Sequence, residues 1–411
     1  MRCLSISPHG AFARGLMMAV LLFALGLTVD AQTFTVLHSF SGGADGNGPE
    51  GLVGVDRGGN VYGSAPSGGS RAGTICDALG GCGTIFRASL KNGAWIFNPI
   101  YTFTGEDGGQ PWAGVTVGPE GAIYGTTLFG GGNQCGGMGC GVVFKLTPPP
   151  SFCHMALCPW TETILYRPDG TTPSGFYGGV TLDAAGNVYG MTSFGGTGNS
   201  GTVYKLTPTG GNNYSFSVLY NFQGSTDGAD PLGNVTRDAA GNIYGITTFG
   251  GAHDDGTVFK LVREAGGYTF QLLYTFTGQG DGADPEGNVV LDSAGNLYGA
   301  TGNLGGIFQI TPSGVFTLID PILGGTQAPI AIDSAGNLYG TTYAGGSHDD
   351  GSVFEVTYAN GSWTHNILYS FGGFGGALPL SGIAFDASGN LYGTSTFGGM
   401  NGAGTLWQLT R

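Results

Sequence analysis

Two short loops carry the residue types best suited to chemistry. They read Gly251-Ala252-His253-Asp254-Asp255-Gly256 and Gly346-Ser347-His348-Asp349-Asp350-Gly351. Imidazole titrates near neutral pH, and imidazole and carboxylate both ligate metals and exchange protons. The H-D-D run has no established ligand spacing, and sister repeats share residues through duplication alone. A second set of carboxylates lies in Asp-Gly contexts: Asp227, Asp230, Asp281 and Asp284, with Asp45 and Asp107 placed alike. Asp and Gly also build ordinary turns, so these positions have a structural reading beside the functional one. The two His loops and these four Asp form the candidate ligand-binding set. No residue is assigned a catalytic role. No cofactor is expected, a divalent cation on the His and Asp side chains being the single candidate. The chain contains no nucleophile elbow, phosphate loop, HExxH or EF-hand loop.

The elements that must position these residues are announced by repetition. The phrase G-N-x-Y-G recurs around Tyr62, Tyr189, Tyr244, Tyr298, Tyr339 and Tyr392, and G-A-I-Y-G around Tyr124 makes a seventh copy. Each unit reads as four short strands. In the third unit, strand A is Gly179 to Asp183 and strand B is Val188 to Thr192. Strand C is Gly201 to Leu206 and strand D is Phe216 to Phe222. Apolar runs of this length bounded by Gly, Asn, Asp and Pro mark antiparallel meanders. Seven such units predict an all-β, seven-bladed propeller with four antiparallel strands per blade. Residues 34–40 match strand D, and the last unit ends at strand C, so the N-terminal strand is expected to close the ring. An open β-solenoid, the other architecture considered, explains neither the surplus first strand nor the missing last one.

The run D-x-x-G-N-x-Y-G-x-T, then G-G, then G-T-V-F-K-L resembles the GloVer tandem repeat of bacterial "choice-of-anchor" exported proteins. The resemblance spans nearly all of residues 33–411. It implies a propeller and carries no agreed activity to transfer.

Asp precedes the strand-B Tyr by six residues at 56, 183, 238, 292, 333 and 386, where a turn-forming carboxylate is the better reading. The repeated Tyr reads as packing. In such blades the A–B and C–D loops share one face, and the B–C and D–A loops share the other. The second face collects the candidate carboxylates and the extra aromatics Phe129, Phe194, Phe249, Tyr343 and Phe397, so a ligand is expected there. The fifth unit has a shortened B–C loop between the two His loops, which predicts a notch flanked by His253 and His348.

Composition bounds the rest. Of 411 residues 84 are Gly, charged residues make up 10% and the net charge is −14. That excludes a helical bundle, and an acidic chain of this kind is no general nucleic-acid binder. Residues 1–31 read as a secretory signal peptide cleaved near Ala31, because an apolar run of about fourteen residues is short of the ~20 needed to span a bilayer. The remaining 32–411 are expected to form one domain, secreted, periplasmic or at the cell surface, monomeric and without a membrane span. The cysteines outside the leader are expected to pair locally: Cys76 with Cys82, Cys135 with Cys140, and Cys153 with Cys158. Disulfides suit an oxidising compartment; a four-thiolate zinc site is the alternative. The functional expectation is a binding propeller recognising a glycan or surface partner through the B–C/D–A face. The alternatives are a polysaccharide or lactone lyase or hydrolase using His and Asp of that face, and a purely structural surface protein.

Overall fold

The computed structural model describes residues 32–150, 159–302, 306–320 and 325–411. The expected leader lies outside the described residues. So do Cys153 and Cys158, and the bridge expected between Cys153 and Cys158 is not among the disulfides described below. The strands form seven four-stranded antiparallel sheets, each a meander from inner strand A to outer strand D. In blade three these are Thr181–Leu182, Val188–Thr192, Thr202–Gly210 and Asn213–Asn221. Strand A is shorter than its sequence suggests. Gly178 and Gly179 turn to the neighbouring blade instead, and the Gly179 N–H donates to Asn234 Oδ1 at 2.6 Å.

Strand B is buried along its whole length in every blade, for example Val61–Ala65 and Leu391–Ser395. Its Y-G dipeptide has a steric cause. Each such Gly pairs with an aromatic residue of strand C, as Gly63 with Phe86 and Gly393 with Trp407. A Cβ at Gly63 would lie 2.4 Å from the Phe86 ring, and one at Gly393 would lie 2.4 Å from the Trp407 ring. The ring lies across the bare backbone and fills the space a side chain would take.

Among the described residues the buried apolar side chains fall into seven clusters, each between two neighbouring blades. The core is thus divided into seven seams. Burial there supplies the main stabilisation, since burying a large apolar side chain is worth about 1.5–3 kcal/mol.

The ring closes as the sequence predicts. Thr33–Ser39 pairs antiparallel with Thr405–Thr410, completing blade seven. A second ring of contacts runs around the outer strands, where a side chain of each blade meets one from the next. Tyr166 stacks on Phe216, Tyr220 on Phe270, Tyr274 on Phe316, Tyr369 on Phe34 and His38 on Phe97. The two remaining seams are polar: Tyr101 donates to Glu162 at 3.2 Å, and His365 meets Asp320 at 2.5 Å. The N-terminal strand supplies Phe34 and His38, so it takes part in two of the seven.

The A–B turns have the expected cause. Asp183 Oδ1 accepts from the N–H groups of Ala185 and Asn187, and Oδ2 from Asn187 Nδ2 and the Tyr189 hydroxyl. Burial works against the Asp183 carboxylate, and these bonds outweigh it and hold it below its ordinary range. The recurring Tyr therefore both packs and locks the turn.

Candidate functional site

The D-to-A connections converge on the ring axis and enclose a depression of about 290 Å³ on the face they share with the B–C loops. One residue from each blade, twelve before the strand-B Tyr, lines it. In order around the ring these are Glu50, Trp112, Tyr177, Leu232, Glu286, Gln327 and Leu380. The residue that follows is small in each blade, such as Gly51, Gly178 and Gly233, because neighbouring backbones touch there. The residue two places before each lining residue has positive φ. Four of the seven are not glycine: Gln110, Asp230, Asp284 and Leu378, at φ 55°, 55°, 51° and 51°. Each precedes a proline, where helical backbone is disfavoured, so the strain of this conformation sits beside the mouth.

Among the described residues the lining contains no Lys, Arg or His. Trp112 donates its indole N–H to Gln110 Oε1 at 3.2 Å, which orients the ring. Burial pushes the Glu50 carboxyl up to about 7. Burial also raises Glu286, with Asp284 adding repulsion and a bond from Gln327 Nε2 (3.2 Å) opposing it. Unfolded, Glu50 ionises near 4.5. As pH rises from there to about 7 the unfolded chain loses a proton that the folded chain keeps, so Glu50 lowers stability across that window. Glu50→Gln is therefore expected to be about 1–3 kcal/mol more stable than wild type at pH 8 and equal to it at pH 4. Urea unfolding at both pH values checks this, and equal stability at pH 8 contradicts it.

Of the candidate carboxylates on this face, Asp227, Asp281, Asp254 and Asp349 bond within their own loops. Asp227 accepts from the Tyr220 hydroxyl at 2.6 Å and from the N–H groups of Gln223 and Gly224. Asp281 accepts from Tyr274, the Thr277 N–H and the Thr277 hydroxyl. Asp254 and Asp349 have positive φ and accept from the N–H groups of Gly250 and Gly345. The carbonyls of Asp255 and Asp350 accept from the N–H groups of Asp284 and Leu378 in the next blade. Burial raises the Asp230 carboxyl, with a bond to Ser193 opposing it. His253 and His348 are exposed, and His348 Nδ1 lies 2.9 Å from Ser347 Oγ. Neither His lines the mouth. The two His loops stand on blades four and six, on either side of blade five, whose residues 303–305 lie outside the described residues. Among the described residues no group of three or more His, Cys, Asp or Glu side chains is arranged to hold a metal ion. Phe194, Phe249 and Phe397 are exposed on the same face, each in a β-bridge to its D–A loop. Disulfides Cys76–Cys82 and Cys135–Cys140 brace the first two B–C insertions, which excludes the zinc alternative for these four thiols. Of the three expected pairs these two form; Cys153 and Cys158, the third, fall in the segment 151–158 outside the described residues.

The glycines, the turn aspartates and the strand-C aromatics recur with the regularity of one repeat family. Residues 135–328 match the Gloeobacter/Verrucomicrobia repeat. That match bears out the repeat in the resemblance drawn from the sequence and covers the outer two strands of the second blade and all of the third to fifth. No curated protein matches the chain. Among solved structures the chain is similar to a streptogramin B lyase, with TM-score 0.58, 14% identity, and 92% of this chain and 97% of that one covered. It also resembles an extracellular domain from B. thetaiotaomicron described as part of a hybrid two-component system, with TM-score 0.56 and 10% identity. That match covers 91% of this chain and 39% of the other. A structure from Bacteroides uniformis described as a 6-phosphogluconolactonase gives TM-score 0.50 and 13% identity, covering 77% of this chain and 83% of that one. At these identities the likeness concerns the fold alone.

Proposed function

We propose that the chain is an exported binding propeller that recognises a glycan through the mouth on its B–C/D–A face. The observation that carries this reading is the lining itself. Trp112 and Tyr177 come from adjacent blades and offer aromatic surface beside hydrogen-bonding groups of Glu50, Asn234, Glu286 and Gln327. Aromatic faces stack on the apolar faces of sugars while polar groups fix orientation. The exposed Phe194, Phe249 and Phe397 extend apolar contact outward, and the loops at His253 and His348 serve as outer walls. The two disulfides suit an extracellular protein. Among the described residues no helix is long and apolar enough to cross a membrane.

A glycan array probed with the labelled protein tests the reading. Wild type is expected to bind a defined set of oligosaccharides, and Trp112→Ala with Tyr177→Ala to lose at least tenfold in affinity while keeping its melting temperature. His253→Ala with His348→Ala is expected to weaken binding only to longer oligosaccharides. Full retention of binding by the Trp112/Tyr177 variant refutes the mouth as the site.

A further inference from the structure

Glu50 and Glu286 raise a problem that a neutral sugar does not solve. Glu50 stands on blade one and Glu286 on blade five, about 150° apart around a seven-fold ring. Gln327 and Leu380 occupy that shorter arc, and Trp112, Tyr177 and Leu232 the longer one, about 206°. Among the described residues no cationic side chain lines the mouth, and Asp284 adds negative charge next to Glu286. A partly buried carboxylate without a counter-charge is costly, and a complementary cation relieves that cost. The carboxyls lie on different sides of the mouth and belong to no metal-holding group among the described residues, and a hard divalent ion needs several converging oxygens. An organic ammonium has different needs: one carboxylate and an aromatic face, both present here.

We propose that the mouth selects sugars bearing a free amino group, with the ring face stacked on Trp112 and Tyr177 and the ammonium groups held against Glu50 and Glu286. This rests on the reading of the mouth as the glycan site and names the ligand class. An N-acetylated sugar of the same shape stacks equally well but leaves both carboxyls without a counter-charge. Discrimination therefore resides in the two glutamates, and stacking resides in the two aromatics.

Calorimetry at pH 7 with the glucosamine tetrasaccharide and the N-acetylglucosamine tetrasaccharide tests this. The free amine is expected to bind at least tenfold more tightly. Glu50→Gln and Glu286→Gln, which keep a polar amide at each position, should each lower the affinity for the free amine far more than that for the acetylated sugar and so erase much of the preference. Glu264→Gln, an exposed site at the far end of strand C, controls for attraction to the acidic protein as a whole and should change nothing. Equal affinity for the two sugars overturns the inference while the glycan reading stands. A loss in Glu264→Gln as large as in Glu50→Gln also overturns it, since the preference is then bulk charge. Binding of neither sugar overturns it too, and a blank glycan array would remove the underlying reading as well.

Discussion

Removal of residues 32–41 is expected to abolish cooperative unfolding of the whole ring. The strand Thr33–Ser39 is the outer strand of blade seven, and its loss exposes the edge of Thr405–Thr410. It also removes Phe34 from its stack on Tyr369 (3.6 Å) and His38 from its stack on Phe97 (3.6 Å). Phe40 goes with it, a side chain with no exposed surface whose N–H donates to the Gly404 carbonyl at 3.0 Å. Truncating one such Phe to Ala costs about 3–5 kcal/mol, against a total stability of about 5–15 kcal/mol. Thermal unfolding followed by circular dichroism, with limited proteolysis alongside, measures the effect. Phe40→Ala serves as the milder variant and should lower the midpoint with the transition still cooperative. An unchanged midpoint in the deletion would show that the strand does not close the ring.

Gly233→Val is expected to be as damaging from the opposite side of the blade. At Gly233 the backbone meets the next blade directly, and a Cβ would lie 1.6 Å from the Gly287 carbonyl oxygen. No side-chain movement relieves a clash with backbone, so the blades must part at the axis. The expected cost exceeds about 3 kcal/mol, beyond the usual range for single substitutions. Gly266→Ala, with open space around its Cβ, is the comparison and should stay within about 0.5 kcal/mol of wild type. Urea midpoints of the two variants decide it; a Gly233→Val protein as stable as Gly266→Ala contradicts the packing described.

Much of this fold was legible because its causes recur. The Asp–Asn–Tyr turn, the Y-G dipeptide and the surplus N-terminal strand repeat or pair in the sequence, so their meaning could be read from spacing. The mouth was not legible in the same way. Glu50, Trp112, Tyr177, Leu232, Glu286, Gln327 and Leu380 share an offset but no one residue type common to all seven, and only ring closure brings them together. The signal that could have found them is position: each follows the D–A proline or its equivalent by one residue, at Pro49, Pro111, Pro231, Pro285 and Pro379. The H-D-D-G loops drew attention through their residue types. Their middle Asp turns out to hold its own loop by accepting from a glycine N–H, at Gly250 and Gly345. The outer ring of stacks was hidden for a further reason. Its partners lie four apart within one strand, as Phe216 and Tyr220, and each contacts a different neighbouring blade.

The central claim is that ligand binds on the D–A loop side of the ring axis. Hydrogen–deuterium exchange of the full-length protein, with and without the best-binding oligosaccharide of the array, tests it most directly. Protection is expected in the segments around 110–114, 176–179, 231–234 and 285–288, with the A–B turns around 56–60, 183–187 and 386–390 unchanged. Protection confined to those turns, on the opposite face, would contradict it.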